Sequence, residues 1–378
     1  MIYFDNAATT RILPEVIEEM NKSFEEHWGN PSSTHRQGQK SRAAIEKSRE
    51  TIAKILLVDA KEIIFTSGGA ESNNLILRGA LKVNESKGKH LITSKIEHST
   101  VLRTCQALEK EGYEVTYIDV TERGVIDLEQ LKNAIRNNTV VISVMYVNNE
   151  TGVVLPIDEI AEMIEGKGIV LHTDAVQGVG KEMILPKKQG IHALSAAAHK
   201  FYGPKGTGFL YLDQNYMIEK EITGGSQERN RRSGTENVHG IVGMAKALEI
   251  VYSDMEEEQA KEKEMQIYLE EALKKEICNI KINCGNSRRI SSVVNITLED
   301  CNVQTLMVAL DMEGICVSGG SACMSGAMET SHVLKAMGAS EEDLKSSIRV
   351  SIGRYNTKDE IDIFIQKLKE IVARERAK

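Results

Sequence analysis

The sequence predicts an α/β protein with a mainly parallel sheet in a large domain and a smaller α+β domain. Apolar runs alternate with helical stretches from Glu62 to about Leu212, which is typical of a parallel sheet covered by helices. Beyond about Ile277 the predicted strands and helices are more mixed, which indicates an α+β arrangement. A chain of 378 residues is also too long for one simple core.

The predicted elements divide the chain into two parts. Strands of the large sheet are predicted at residues 63–65, 90–93, 115–118, 140–144, 169–171, 193–195 and 208–212. One long helical segment is predicted over residues 238–276, and its charge-dense part is typical of a solvated face. We expect residues 14–255 to form the large domain, and residues 1–13 with 256–378 to form the small one.

Composition excludes some classes of protein. The chain has 47 Lys+Arg and 55 Asp+Glu, a net charge of −8, and no basic stripe, so direct binding to nucleic acid is not expected. No signal-peptide pattern or membrane-length apolar stretch is present in the sequence. The 6 cysteines include no Cys-x-x-Cys pair, which argues against a zinc ribbon or a disulfide framework. We therefore expect a cytoplasmic protein with reduced thiols, no membrane partner and no metal site.

A glycine-containing segment at residues 66–74 follows a predicted strand and begins a helix. The free N–H groups and the positive dipole end of such a helix favour a phosphate. The segment matches neither the Walker pattern nor the dinucleotide-binding pattern, so NTP and NAD sites are less favoured.

Polar side chains follow the predicted strands where each one ends. They include His98, Asn149, Asp174 and Gln177, and ligands of parallel sheets lie at this carboxyl edge. Each residue alone is more often a cap, a turn residue or a satisfied histidine. Lys200 follows the same pattern beside a glycine-rich turn, where its amine could form an imine with an aldehyde. Their recurrence at one edge predicts a binding site, and the combination fits pyridoxal 5′-phosphate (PLP).

Four motifs carry a resemblance to a known family: His199-Lys200, Gly203-Pro204-Lys205-Gly206, Arg232-Ser-Gly-Thr235 and Gly320-Ser-Ala-Cys323. With these motifs the chain resembles the cysteine desulfurases of the NifS/IscS group, which are PLP-dependent transferases of fold type I in the class V aminotransferase family. The resemblance runs from Tyr3 to Gly353 and thus covers nearly the whole chain.

The resemblance implies a role for each site residue. Lys200 would hold PLP through an imine and later move protons at the substrate α-carbon. Asp174 would keep the pyridine nitrogen protonated, and Gln177 would donate to the phenolic oxygen of the ring. His98 would stack on the ring and assist acid–base steps.

The same resemblance implies how the phosphate and the substrate are bound. The phosphate would be met by His199, the backbone of Gly69 and Ala70, and Thr235 of a second subunit. Arg349 would clamp the substrate carboxylate with a two-pronged hydrogen bond, and Asn149 would touch cofactor or substrate. Relatives usually have threonine at position 70 and serine at position 197, where this chain has alanines. We therefore expect PLP to bind with a weaker hold on its phosphate.

Cys323 is flanked by glycine and small residues, which predicts a mobile, exposed loop. The resemblance implies that its thiolate accepts the substrate sulfur as a persulfide. We expect the remaining cysteines to be structural.

The predicted function is a homodimeric cysteine desulfurase that converts L-cysteine to L-alanine. Its persulfide would pass to an acceptor protein of iron–sulfur cluster assembly or of tRNA thiolation. One alternative is selenocysteine lyase or another class V aminotransferase-like PLP enzyme, although an aminotransferase needs no loop thiol. The other alternative is a catalytically slow scaffold for sulfur-transfer partners, and only Ala70 and Ala197 favour it.

Overall fold

The computed structural model describes residues 1–319 and 330–377 of the chain. Its strands are β1 (Ile2–Tyr3), β2 (Ile63–Thr66), β3 (His90–Ser94), β4 (Glu114–Ile118), β5 (Thr139–Ser143), β6 (Val170–Asp174), β7 (Ala193–Ala197), β8 (Gly208–Leu212), β9 (Ile280–Asn283), β10 (Val293–Leu298), β11 (Ile315–Cys316), β12 (Ser318–Gly319) and β13 (Ser347–Ser351). Its helices are α1 (Pro14–Glu26), α2 (Arg36–Leu56), α3 (Gly69–Val83), α4 (Ser99–Lys110), α5 (Leu128–Ala134), α6 (Ile157–Ile164), α7 (Gln227–Asn230), α8 (Val238–Ser253), α9 (Met255–Glu276), α10 (Val303–Met312), α11 (His332–Ala336), α12 (Glu341–Lys345) and α13 (Lys358–Arg376).

A seven-stranded sheet has the order β2-β8-β7-β6-β5-β3-β4. The strands from β7 to β4 pair in parallel, as the sequence predicts, and helices connect most of them. Strand β8 is antiparallel to both β7 and β2. The connection over residues 198–207 is too short for the crossover that a parallel partner needs, so the chain returns in the opposite direction.

A second, antiparallel sheet has the order β12-β13-β10-β9. One face of it packs on an apolar cluster that includes Phe4, Leu269, Ile296 and Phe364. The N-terminal strand β1 pairs with β11, so the start of the chain packs with its C-terminal third. This arrangement is the smaller α+β part that the sequence predicts; the expected domain boundaries stay a prediction.

The prediction of one helical segment over residues 238–276 is wrong at Asp254. That residue has φ −99° and ψ 3°, and it separates α8 from α9. Arg354 donates to its carboxylate at 2.8 Å. No glycine or proline marks the break in the sequence. A tertiary ion pair accompanies it, and α8 packs against α1 and α2.

Within residues 1–319 and 330–377, no helix combines the length and apolar character needed to cross a membrane.

Candidate active site

A cavity of about 670 Å³ opens at the carboxyl edge of the large sheet. Its wall contains most of the predicted site residues: Gly69, Ala70, His98, Asn149, Asp174, Gln177, His199, Lys200 and Arg349. Two predicted residues are not part of it. Thr235 is exposed and is absent from the wall, and Cys323 lies outside the described residues.

Lys200 lies on a 3-10 turn directly after β7. Its Nζ donates to the carbonyl oxygens of Ala7 and Ala8, each at 2.7 Å. Burial, followed by the charges of Arg349 and Lys181, lowers the pKa of Lys200 to about 7. A large fraction of this amine is therefore neutral near pH 7, the form that attacks a carbonyl.

Asp174 is the last residue of β6 and is 4% exposed. Its Oδ2 accepts from Nδ2 of Asn73 at 2.7 Å, and its Oδ1 accepts from the backbone N–H of Val176 at 3.1 Å. Neutral donors hold this carboxylate without neutralising it. Its charge therefore remains for a cationic group in the cavity.

His98 caps the N-terminus of α4, because its Nδ1 accepts from the backbone N–H of Thr100 at 3.2 Å. In the neutral ring this bond leaves the proton on Nε2. Burial lowers the pKa of His98, Asp174 opposes that change, and Lys200 adds to it. The cap thus fixes the tautomer as well as the position of the ring.

The start of α3 forms one end of the cavity. A Cβ at Gly69 would lie 2.6 Å from Cγ2 of Val176 and 3.9 Å from Cβ of Ala197. A Cβ at Gly208 would lie 2.6 Å from Cα of Gly68, so β8 approaches the loop before α3 closely. Free N–H groups at a helix start can bind an anion, and this close packing keeps their position fixed.

His199 also lies in the wall of the cavity, with Nδ1 3.2 Å from Oγ1 of Thr9. Burial, then the charges of Lys200 and Lys205, lower the pKa of His199 to about 4. Its ring is therefore neutral near pH 7 and can serve an anion as a hydrogen-bond donor rather than as a cation.

Arg349 reaches the wall of the cavity from β13 and is 4% exposed. Its Nη1 donates to the carbonyl oxygen of Asn149 at 2.8 Å, and its Nη2 donates to Oδ1 of Asp5 at 3.0 Å. Its Nε is buried and has no partner among the described residues. The guanidinium is fixed in place, and its Nε remains able to donate to a carboxylate.

Other residues of the wall were not assigned a role from the sequence. Among them are Ala7 and Ala8, whose carbonyls accept from Lys200; Asn73, which donates to Asp174; and Glu150 and His332. Asn73 was within reach of sequence reasoning, since it is a polar residue of the glycine-containing segment at residues 66–74. The contacts of Ala7 and Ala8 use backbone atoms, and no side-chain pattern reports them.

The residues of the cavity fit PLP. An amine with a lowered pKa, a carboxylate held by neutral donors and a helix start match its aldehyde, ring nitrogen and phosphate. Oδ1 of Asn73, like Nε of Arg349, is buried without a partner in the part of the chain that the structure describes. A polar ligand in the cavity would satisfy such atoms.

The chain is similar to known proteins in sequence and in fold. Residues 2–364 match the family described as Aminotransferase class-V. The chain is 43% identical over 375 residues to "Cysteine desulfurase IscS" of Dictyoglomus turgidum, covering 99% of this chain and 95% of that protein. Its fold is similar to a solved "NIFS-LIKE PROTEIN" with a TM-score of 0.93 and 36% identity, over 98% of this chain and 99% of that one. The structure titled "SspA in complex with cysteine" is similar with a TM-score of 0.83 and 35% identity, over 94% of this chain and 100% of that one.

These similarities confirm the resemblance and the fold class that the sequence predicts. The roles given to individual site residues stay predictions.

Proposed function

Because the chain belongs to the class-V aminotransferase family and, within it, is a cysteine desulfurase, we propose that it transfers the sulfur of L-cysteine to Cys323 and releases L-alanine. The reaction is balanced: the substrate C–S bond breaks, the Cys323 thiol becomes a persulfide, and the carbon that lost sulfur gains a proton. The observation that carries the proposal is the buried amine of Lys200, which shares one cavity with Asp174, His98 and Arg349.

Enzymes of this family use PLP, and we propose that this chain does so too. Bound PLP would supply an aldehyde and an electron-withdrawing ring. Lys200 would hold it and Asp174 would face its ring nitrogen. His199 and the start of α3 would bind its phosphate.

The chain's own residues would then bind substrate and move protons. Arg349 donates to the substrate carboxylate, which sets the orientation of L-cysteine in the cavity. The neutral amine of Lys200 accepts the proton of the substrate α-carbon and later returns it. His98, with its proton on Nε2, exchanges protons with the sulfur groups.

A second copy of the chain would complete the site. Thr235 is exposed and outside the cavity of its own chain, so a contribution to the phosphate requires that it reach the cavity of a partner. We therefore propose a homodimer. Its persulfide would pass to a protein acceptor of iron–sulfur cluster assembly or of tRNA thiolation, in the cytoplasm.

The decisive experiment compares the parent with three variants, all supplied with PLP. Cys323→Ser should lose almost all sulfide release while it keeps the visible absorbance of bound PLP. Cys278→Ser is the matched control, because Cys278 is an exposed cysteine outside the cavity, and it should behave like the parent. Lys200→Ala should yield no adduct on borohydride reduction. Unchanged turnover in Cys323→Ser, or no alanine formed from L-cysteine by the parent, would contradict the proposal.

A further inference from the structure

The carboxamide of Gln177 is held at both ends. Its Nε2 donates to the carbonyl oxygen of Ala7 at 2.8 Å, and its Oε1 accepts from Nζ of Lys181 at 2.9 Å. The ammonium group of a lysine carries donors only, so Lys181 can pair with the carboxamide oxygen but not with its NH₂ group. The contact therefore selects one of the two orientations of the amide, with the NH₂ group on the side of Ala7, a residue of the cavity wall.

The same carbonyl oxygen connects this amide to the reactive amine. Nζ of Lys200 also donates to the oxygen of Ala7, at 2.7 Å. A continuous set of hydrogen bonds thus runs from Lys181 through Gln177 and Ala7 to Lys200. The charge of Lys181 also contributes to the lowered pKa of Lys200.

Helix α9 holds Lys181 in this position. Nε2 of Gln259 donates to the backbone oxygen of Lys181 at 2.7 Å, and the charge of Glu262, another residue of α9, acts on the ammonium. Burial lowers the pKa of Lys181 to about 8 and raises the pKa of Glu262 to about 7, and each group opposes the shift of the other. The other charged groups that act on this pair are Arg349, Glu258, Lys261 and Arg354.

We propose that Lys181, supported by Glu262, is a positioning residue that fixes the carboxamide of Gln177 so that its NH₂ group faces the phenolic oxygen of PLP. The proposal rests on the proposed function, because it requires bound PLP. Without Lys181 the amide can turn over and present its oxygen to the phenolic oxygen. Two acceptors then face each other, and the anionic form of the phenolic oxygen loses a hydrogen bond.

The test is a pH titration of the visible absorbance of PLP-loaded protein without substrate. In Lys181→Met, the titration midpoint should move to higher pH by about one unit, a tenfold higher proton affinity. Both the lost donor and the lost positive charge act in this direction. Lys181→Arg keeps a donor-only cation and should stay close to the parent. Lys188→Met, at an exposed lysine outside the cavity, is the matched control.

A double-mutant cycle separates orientation of the amide from a direct effect of charge. In a Gln177→Leu background, Lys181→Met should shift the midpoint clearly less than it does in the parent, because the amide it orients is gone and only the effect of its charge remains. An equal shift with and without Gln177 would overturn the proposal, and so would an unmoved midpoint in Lys181→Met.

If Lys181→Met does not fold, Lys181→Gln is used instead. The amide introduced at position 181 can donate or accept a hydrogen bond, so it no longer selects one orientation of the Gln177 carboxamide. A parent protein that takes up no PLP would instead show that the proposed function itself is wrong.

Discussion

The hydroxyl of Ser331 lies 2.5 Å from Oε2 of Glu150 and joins the start of α11 to the wall of the cavity. His332 reinforces this contact, because its Nε2 donates to the carbonyl oxygen of Glu97 at 2.9 Å. Both residues follow the segment that contains Cys323 in the sequence. Ser331 and His332, at the start of α11, are therefore attached to the loops that carry His98 and Asn149.

Glu150 makes this attachment sensitive to pH. Burial raises its pKa to about 7 from 4.5, against the opposing effects of Ser331 and Arg349. The folded protein thus binds this proton more tightly than the unfolded chain. The stabilising contribution is complete below pH 4.5 and is lost as the pH rises toward 7.

In Glu150→Gln the melting temperature should fall less between about pH 5 and pH 8 than in the parent. The exposed Glu159→Gln is the control, and an equal fall in all three proteins would contradict the prediction.

Ala70 and Ala197 predict a weak hold on the phosphate. Both lie in the wall of the cavity, and Ala197 is beside Gly69. A hydrogen bond to a charged group contributes about 1.5–3 kcal/mol, so Ala70→Thr and Ala197→Ser should each tighten PLP binding by at least about tenfold. Titration of the apoprotein with PLP measures this affinity. Pyridoxal without a phosphate is the control ligand, and its affinity should not change. Equal PLP affinity in the parent and both variants would refute the prediction.

Arg349 is predicted to bind the substrate by its forked geometry rather than by charge alone. Lys keeps the charge but cannot reproduce contacts to Asn149, to Asp5 and to a carboxylate at once. Arg349→Lys should therefore raise KM for L-cysteine by about tenfold or more, while the absorbance of bound PLP persists. Arg288→Lys, at an arginine whose side chain is 73% exposed, should leave KM unchanged. A normal KM in Arg349→Lys would exclude this role.

Much of the large sheet follows from local sequence patterns. Short apolar runs at residues 90–93, 140–144 and 169–171, each followed by turn and helix signals, predict β3, β5 and β6 close to their observed positions. The direction of β8 follows from the length of the loop before it. The break at Asp254 does not, because it lacks a glycine or a proline and depends on Arg354, a residue that lies 100 positions away in the sequence.

The candidate site divides in the same way. The sequence by itself determined which chemical groups stand at the carboxyl ends of the strands, among them Asp174, Gln177 and Lys200, since strand ends and glycine turns are local signals. Only the tertiary structure decided what holds those groups. The carbonyl of Ala7 lies 170 positions from Gln177 and 193 from Lys200 along the chain. Such contacts form when whole elements pack together, and neither periodicity nor spacing within one segment carries information about them.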